Sequence, residues 1–200
     1  MKSKKFNLKE EYKESWSYII ESKKFIYFIV SLFFIFTLIG FFIPAPESVS
    51  EQIFKFIKEL LEKTEGMSQG ELVMFIFFNN LQSSFFGMIF GILLGIFPFF
   101  AAVANGYLLG FVASITVENG GFITLWRVLP HGIFELPAIF ISLGLGLKMG
   151  LIIFQKGSFL HKFESLRRYF WNSLKVFLFI VLPLLITAAI IEGTLISLYG

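Results

Sequence analysis

The run from Phe25 to Ile43 carries no charge over 19 residues. At about 1.5 Å per helical residue it is long enough to cross a hydrocarbon core of about 30 Å. Glu71 to Glu118 is apolar over 48 residues, too many for one span and suited to two. His131 to Phe154 and about Val176 to Tyr199 supply two more. Runs of this kind predict an all-α, polytopic membrane bundle of about five transmembrane helices. Composition agrees: 56% of the 200 residues are hydrophobic, 29 are Phe, and only 16% are charged. A water-soluble domain of this size has no use for so much apolar surface.

Between the spans the chain is punctuated. Residues 1–24 hold seven Lys and four Glu, with Leu8, Tyr12, Trp16 and Ile19 at helical spacing. They predict a cytoplasmic amphipathic segment on the membrane surface that anchors the first span. No small-residue cleavage site follows the first apolar run, which argues against a signal peptide. Pro44 and Pro46 end that run. Residues 47–66 then read as an amphipathic helix outside the cytoplasm. Ser48 and Glu51 have capping-box spacing, and Ile53, Phe56, Ile57, Leu60 and Leu61 form one stripe. Glu51–Lys55, Lys55–Glu59, Lys58–Glu62 and Glu59–Lys63 are spaced to pair on the other face.

The 48-residue stretch contains two ladders of small residues: Ser83, Gly87, Gly91, Gly95, and Ala102, Gly106, Gly110, Ser114. A step of four places each ladder on one helix face, the pattern that lets membrane helices approach closely. Their common midpoint falls at Pro98–Phe99, where a reversal is expected, so the ladders predict a hairpin packed on itself. Asn119-Gly120-Gly121 breaks the chain again, and residues 119–130 are predicted to be re-entrant or interfacial. The expected layout is thus an N-terminal segment over 1–24 and one membrane domain over 25–200. Its spans lie near 25–43, 71–97, 99–118, 131–154 and 176–199.

With the N-terminus in the cytoplasm, 13 of the 17 basic residues fall on cytoplasmic segments. Only Lys55, Lys58, Lys63 and Arg127 lie outside. The positive-inside rule then predicts a multi-pass cell-membrane protein with its N-terminus in the cytoplasm and its C-terminus outside. In that topology Asn79, Asn80, Glu118, Arg127, His131, Glu135 and Glu192 arrive at similar depth in the outer third. Glu192, 17 residues beyond Lys175, is about 25 Å along its helix. Asn105 lies in the inner half, and Lys148 is expected to snorkel to the cytoplasmic surface.

Ionisable groups at membrane depth are costly, so this cluster is the candidate site. Arg127 is the expected partner of Glu135, with His131, one helical turn before it, second. Three readings stay open: a buried polar clamp, a proton- or ion-handling site, and a metal or hydrolytic centre. One His with one Glu is short of the three protein ligands of a catalytic zinc. All 14 acidic residues are Glu, so no Ser-His-Asp set exists, and Cys is absent. No catalytic residue, metal ligand or cofactor is therefore assigned. The basic residues flank apolar spans and form no basic domain, which argues against nucleic acid as a partner.

Asn79-Asn80, the Gly87/Gly91/Gly95 helix, Asn105-Gly106 with Gly110, and the string Leu129-Pro130-His131-Gly132-Ile133-Phe134-Glu135-Leu136-Pro137 resemble the stage II sporulation protein M family. The resemblance covers about residues 71–155 strongly and the flanking spans in general layout. It implies a multi-span membrane protein with no established enzymatic activity. In spore formers the namesake is a scaffold of the engulfment machinery that recruits peptidoglycan-degrading partners. It also makes Asn105, His131 and Glu135 signature positions without a defined chemical role. Expected partners are the lipid bilayer and other membrane or envelope proteins, and the small-residue faces also suit a homo-oligomer. The competing expectation is a small-solute or ion channel or transporter using the outer polar cluster.

Overall fold

In the computed structural model, the described residues are 7–127 and 129–199. They form helices throughout, with no strand among them. The helices are α1 (Leu8–Phe42), α2 (Glu47–Thr64), α3 (Gln69–Ile89), α4 (Ile96–Gly120), α5 (Leu129–Gly150), α6 (Phe159–Val176) and α7 (Leu182–Tyr199). Short 3-10 turns follow α3, α4 and α5 at Phe90–Ile92, Phe122–Arg127 and Leu151–Phe154. Five helical stretches are long and apolar enough to cross a membrane, which makes the chain an all-α multi-pass bundle.

Two of these helices run further than the sequence suggested. Lys23-Lys24 reads as a boundary, yet Lys and Glu are good helix formers, and α1 passes through the pair unbroken for 35 residues. At about 52 Å it exceeds what one span needs. Its first half does not lie free as a separate surface segment. It packs across α6 and the π-helical turn after it, with the Tyr18 and Tyr169 rings 6.3 Å apart and Tyr12 5.7 Å from Phe179. The basic stretch 155–175, expected as a connection, is largely α6, capped by Ser158, whose hydroxyl accepts from the His161 N–H at 3.3 Å. A π-helical turn at Phe177–Val181 joins α6 to α7. Pro183, with no N–H of its own, cannot complete regular pairing just beyond it, which suits such a turn.

α5 is the axis of the bundle. Residues 142–150 are all buried, and α1, α3, α4, α6 and α7 all pack on it. The small residues make this possible, though not in the expected pairing. Gly87 of α3 and Gly91 of the 3-10 turn after it meet α5 at Leu143 and Gly146, and Gly150 lies on the backbone of Gly91 and Gly95. Gly106 and Gly110 of α4 instead meet the backbone of α1 at Phe33 and Thr37. The two ladders therefore do not close on each other. Ser83 faces outward, and Ser84 takes the buried position. A ladder of small residues encodes a close approach but not the identity of the helix approached.

The reversal between α3 and α4 also comes earlier than Pro98, at Leu94 (φ 59°) and Gly95 (φ 72°). Gly95 adopts that conformation freely, whereas a left-handed leucine costs about 1–2 kcal/mol. Pro98 sits buried in the first turn of α4, where its missing N–H matters least. The expected cap of α2 moves as well. Pro46 is the N-cap and makes no side-chain bond, so Ser48 falls inside the helix. The capping box is at Ser68–Glu71, where the Glu71 carboxylate accepts from the Ser68 N–H at 2.8 Å. α2 has no buried residue, and of the four expected ion pairs Lys58–Glu62 closes to 3.8 Å. Phe54 rests against Phe111 of α4, with ring centroids 5.6 Å apart.

Candidate functional site

Polar groups collect at both ends of α5. At the end nearer its N-terminus, Glu135 projects from the second turn, and Pro137 follows inside the helix. Asn80 of α3 is buried there beside Glu135, and Glu192 of α7 lies within electrostatic reach of the same carboxylate. Asn79 Nδ2 donates to Asn80 Oδ1 at the long distance of 3.5 Å, from an exposed position. Three helices thus bring Asn80, Glu135 and Glu192 together. α3 runs antiparallel to α7 and the π turn before it, with Gly193 against Val73 and Phe85 5.3 Å from Phe177.

The other expected members are Arg127, His131, Glu118 and Asn105. The side chains of Arg127 and His131 lie outside the described residues; their backbones belong to the 3-10 turn before α5 and to its first turn. Glu118 is exposed near the end of α4. Asn105 is exposed and turns back on its own helix, with Nδ2 donating to the Ala101 carbonyl at 2.8 Å. Among the described residues, no group of three His, Cys, Asp or Glu stands close enough to hold a metal ion.

The opposite end of α5 holds a site that sequence reasoning missed. Lys148 does not snorkel to the surface; it is 3% exposed. Its Nζ donates to Glu21 Oε1 at 2.8 Å and to Ser22 Oγ at 3.0 Å. Ser22 in turn donates to the Tyr18 carbonyl at 2.7 Å, so the hydroxyl is used as both acceptor and donor. The ammonium also stands 4.0 Å from the centroid of the Tyr18 ring and 4.6 Å from that of Tyr169, close enough for cation–π attraction to both. A second fastening lies beyond it, where Lys175 Nζ is 2.7 Å from Glu11 and 2.9 Å from Glu14.

These contacts bind α1, α5 and α6 into one unit. The signal was faint because Lys148 and Glu21 are 127 residues apart in the chain. A single Lys near the end of an apolar run looks like an interfacial anchor. Only the small buried residues beside the carboxylates, Ser15 and Ser22, hinted that this face of α1 is covered.

Residues 29–195 match the family described as Stage II sporulation protein M. The chain is also similar to an uncharacterised protein, MJ0706, of Methanocaldococcus jannaschii. Identity is 32% over 200 residues, covering 95% of this chain and 87% of that protein. No solved structure matches the chain.

Proposed function

The chain belongs to the stage II sporulation protein M family, and from that premise we propose that it is a membrane scaffold without enzymatic activity, organising partner proteins at the bilayer. The observation that carries the reading is the contrast between a locked interior and unburied amphipathic helices. Inside, glycine faces bring backbones into contact, and Lys148 is tied to α1. Outside, α2 has no buried residue, and α6 exposes Phe159, Leu160, Phe163 and Trp171. Exposed apolar faces on a rigid frame are suited to holding other membrane proteins. The proposed orientation, N-terminus in the cytoplasm and C-terminus outside, rests on the distribution of the basic residues. It puts α2 and α6 on opposite sides of the membrane. Photo-cross-linkers introduced at Phe56 and Phe163 in native membranes are expected to capture the same membrane partner in repeated preparations. Recovering none from either position contradicts the scaffold.

A second reading, an ion or small-solute pathway, is favoured by the meeting of Asn80, Glu135 and Glu192 at membrane depth. It predicts a cation flux in reconstituted vesicles that Glu135→Gln abolishes. No such flux across a panel of ions removes the support for this reading.

A further inference from the structure

Four of the basic residues near the Lys148 end of α5 divide into two kinds. Lys148 and Lys175 are neutralised by Glu21, Glu11 and Glu14. Lys23 and Lys24 have no ion-pair partner among the described residues. Lys24 borders a groove of about 570 Å³ whose other walls are almost wholly apolar: Phe25 and Phe28 of α1, Ile96 and Phe99 of α4, and Leu147 and Leu151 at the end of α5. The left-handed turn at Leu94 and Gly95 also lines it. A strained non-glycine residue persists only where its surroundings hold it, and such residues gather at binding sites. The volume falls within the range of about 300–1,000 Å³ typical of small-molecule sites.

The position of the groove selects its occupant. In the topology read from the basic residues, the α3–α4 turn and the end of α5 come at the cytoplasmic boundary of the apolar layer, which would set the apolar walls against acyl chains and Lys24 at headgroup level. A water-soluble anion has no use for the apolar walls, and a neutral lipid has no use for the unpaired ammonium. We propose that this groove binds one anionic membrane lipid, with a chain along the Phe28–Phe99–Leu151 walls and its phosphate on Lys24. Basic residues beside grooves between membrane helices recognise anionic headgroups in this way. Lys23, the adjacent residue with the same charge, does not line the groove. The inference is independent of the scaffold reading.

The test is native mass spectrometry of the full chain in mild detergent with equal amounts of phosphatidylglycerol and phosphatidylcholine. One phosphatidylglycerol per chain is expected to survive activation that strips phosphatidylcholine. Lys24→Glu should lower the retained fraction about tenfold, as attraction becomes repulsion, and Lys24→Arg should keep it. Lys23→Glu, the same charge change off the groove, should leave retention nearly unaltered. Ile96→Trp, an exposed position that fills the groove with the lysine in place, should also lower it. Equal retention of both lipids overturns the proposal. So does an equal loss in Lys24→Glu and Lys23→Glu, which is the signature of general surface charge.

Discussion

At one end of α5 a buried ammonium meets a carboxylate, a hydroxyl and two aromatic faces. At the other, a carboxylate meets a carboxamide, with a second carboxylate nearby. The Lys148 end pairs opposite charges drawn from two helices that also touch through Gly144 and Ile26, so electrostatics and packing pull the same way. The described carboxylates at the Glu135 end, Glu135 and Glu192, carry like charge; there Gly193 packs on Val73 of α3, and Gly132 has Leu136 of its own helix as its nearest described side chain. A hydrogen-bonded pair of opposite charges works as a fastening, whereas two carboxylates brought near each other are held in place by the helices around them. The difference separates a structural role for Lys148 from whatever role the motif around Glu135 serves.

The largest test of that contrast is Lys148→Glu. It sets a second carboxylate against Glu21 inside a closed site, and losing a buried pair costs about 3–5 kcal/mol. Glu21 is more than half exposed, so solvent trims the value toward the lower figure. Unfolding of the intact protein in detergent measures it, and adding Glu21→Lys should recover part of the loss. No recovery would mean that packing alone holds this end.

Next come the glycines. Gly150→Ala pushes a methyl into the backbone of Gly91 and Gly95 and should destabilise by about 1–3 kcal/mol. Gly132→Ala meets, among the described residues, a flexible side chain at 3.3 Å and should be neutral, or stabilising by up to about 1 kcal/mol through helix propensity. The same melts compare the two, and equal losses would erase the distinction between the ends.

Smaller effects are expected around Glu135. Asn80→Ala removes the buried carboxamide beside Glu135 and should cost about 1 kcal/mol. Glu135→Gln keeps an acceptor for Asn80 and removes one of two like charges, so the change should stay within about 0.5 kcal/mol. A loss as large as that of Lys148→Glu would make the Glu135 end the stronger fastening.

What the sequence made legible is what is local. Five apolar spans follow from run length alone, and so does the amphipathic character of α2. The family string around His131 is likewise contiguous. What escaped depends on partners distant in the chain. Gly87 and Gly106 announce close approach, but whether to each other or to α5 and α1 is settled by three-dimensional packing. Ser48–Glu51 and Ser68–Glu71 have the same spacing, and only the second caps a helix, because Pro46 already fixes where α2 begins. Lys148 looked like a surface anchor because Glu21 and Ser22 sit in a segment whose many charges suggested water on every side. Asn80 and Glu192 could be placed near Glu135 from depth alone, since helix rise converts residue number into height.

A scaffold requires the bundle to be a fixed frame hung on α5, and the chain has no native cysteine to complicate labelling. Spin labels at Phe28→Cys in α1 and Ile190→Cys in α7, both exposed positions, report the distance across the frame in lipid vesicles. A single narrow distribution that ignores added sodium, potassium and pH is the result a scaffold predicts. Two populations that exchange with a cation or with pH would contradict it and point to a moving pathway through the Glu135 end.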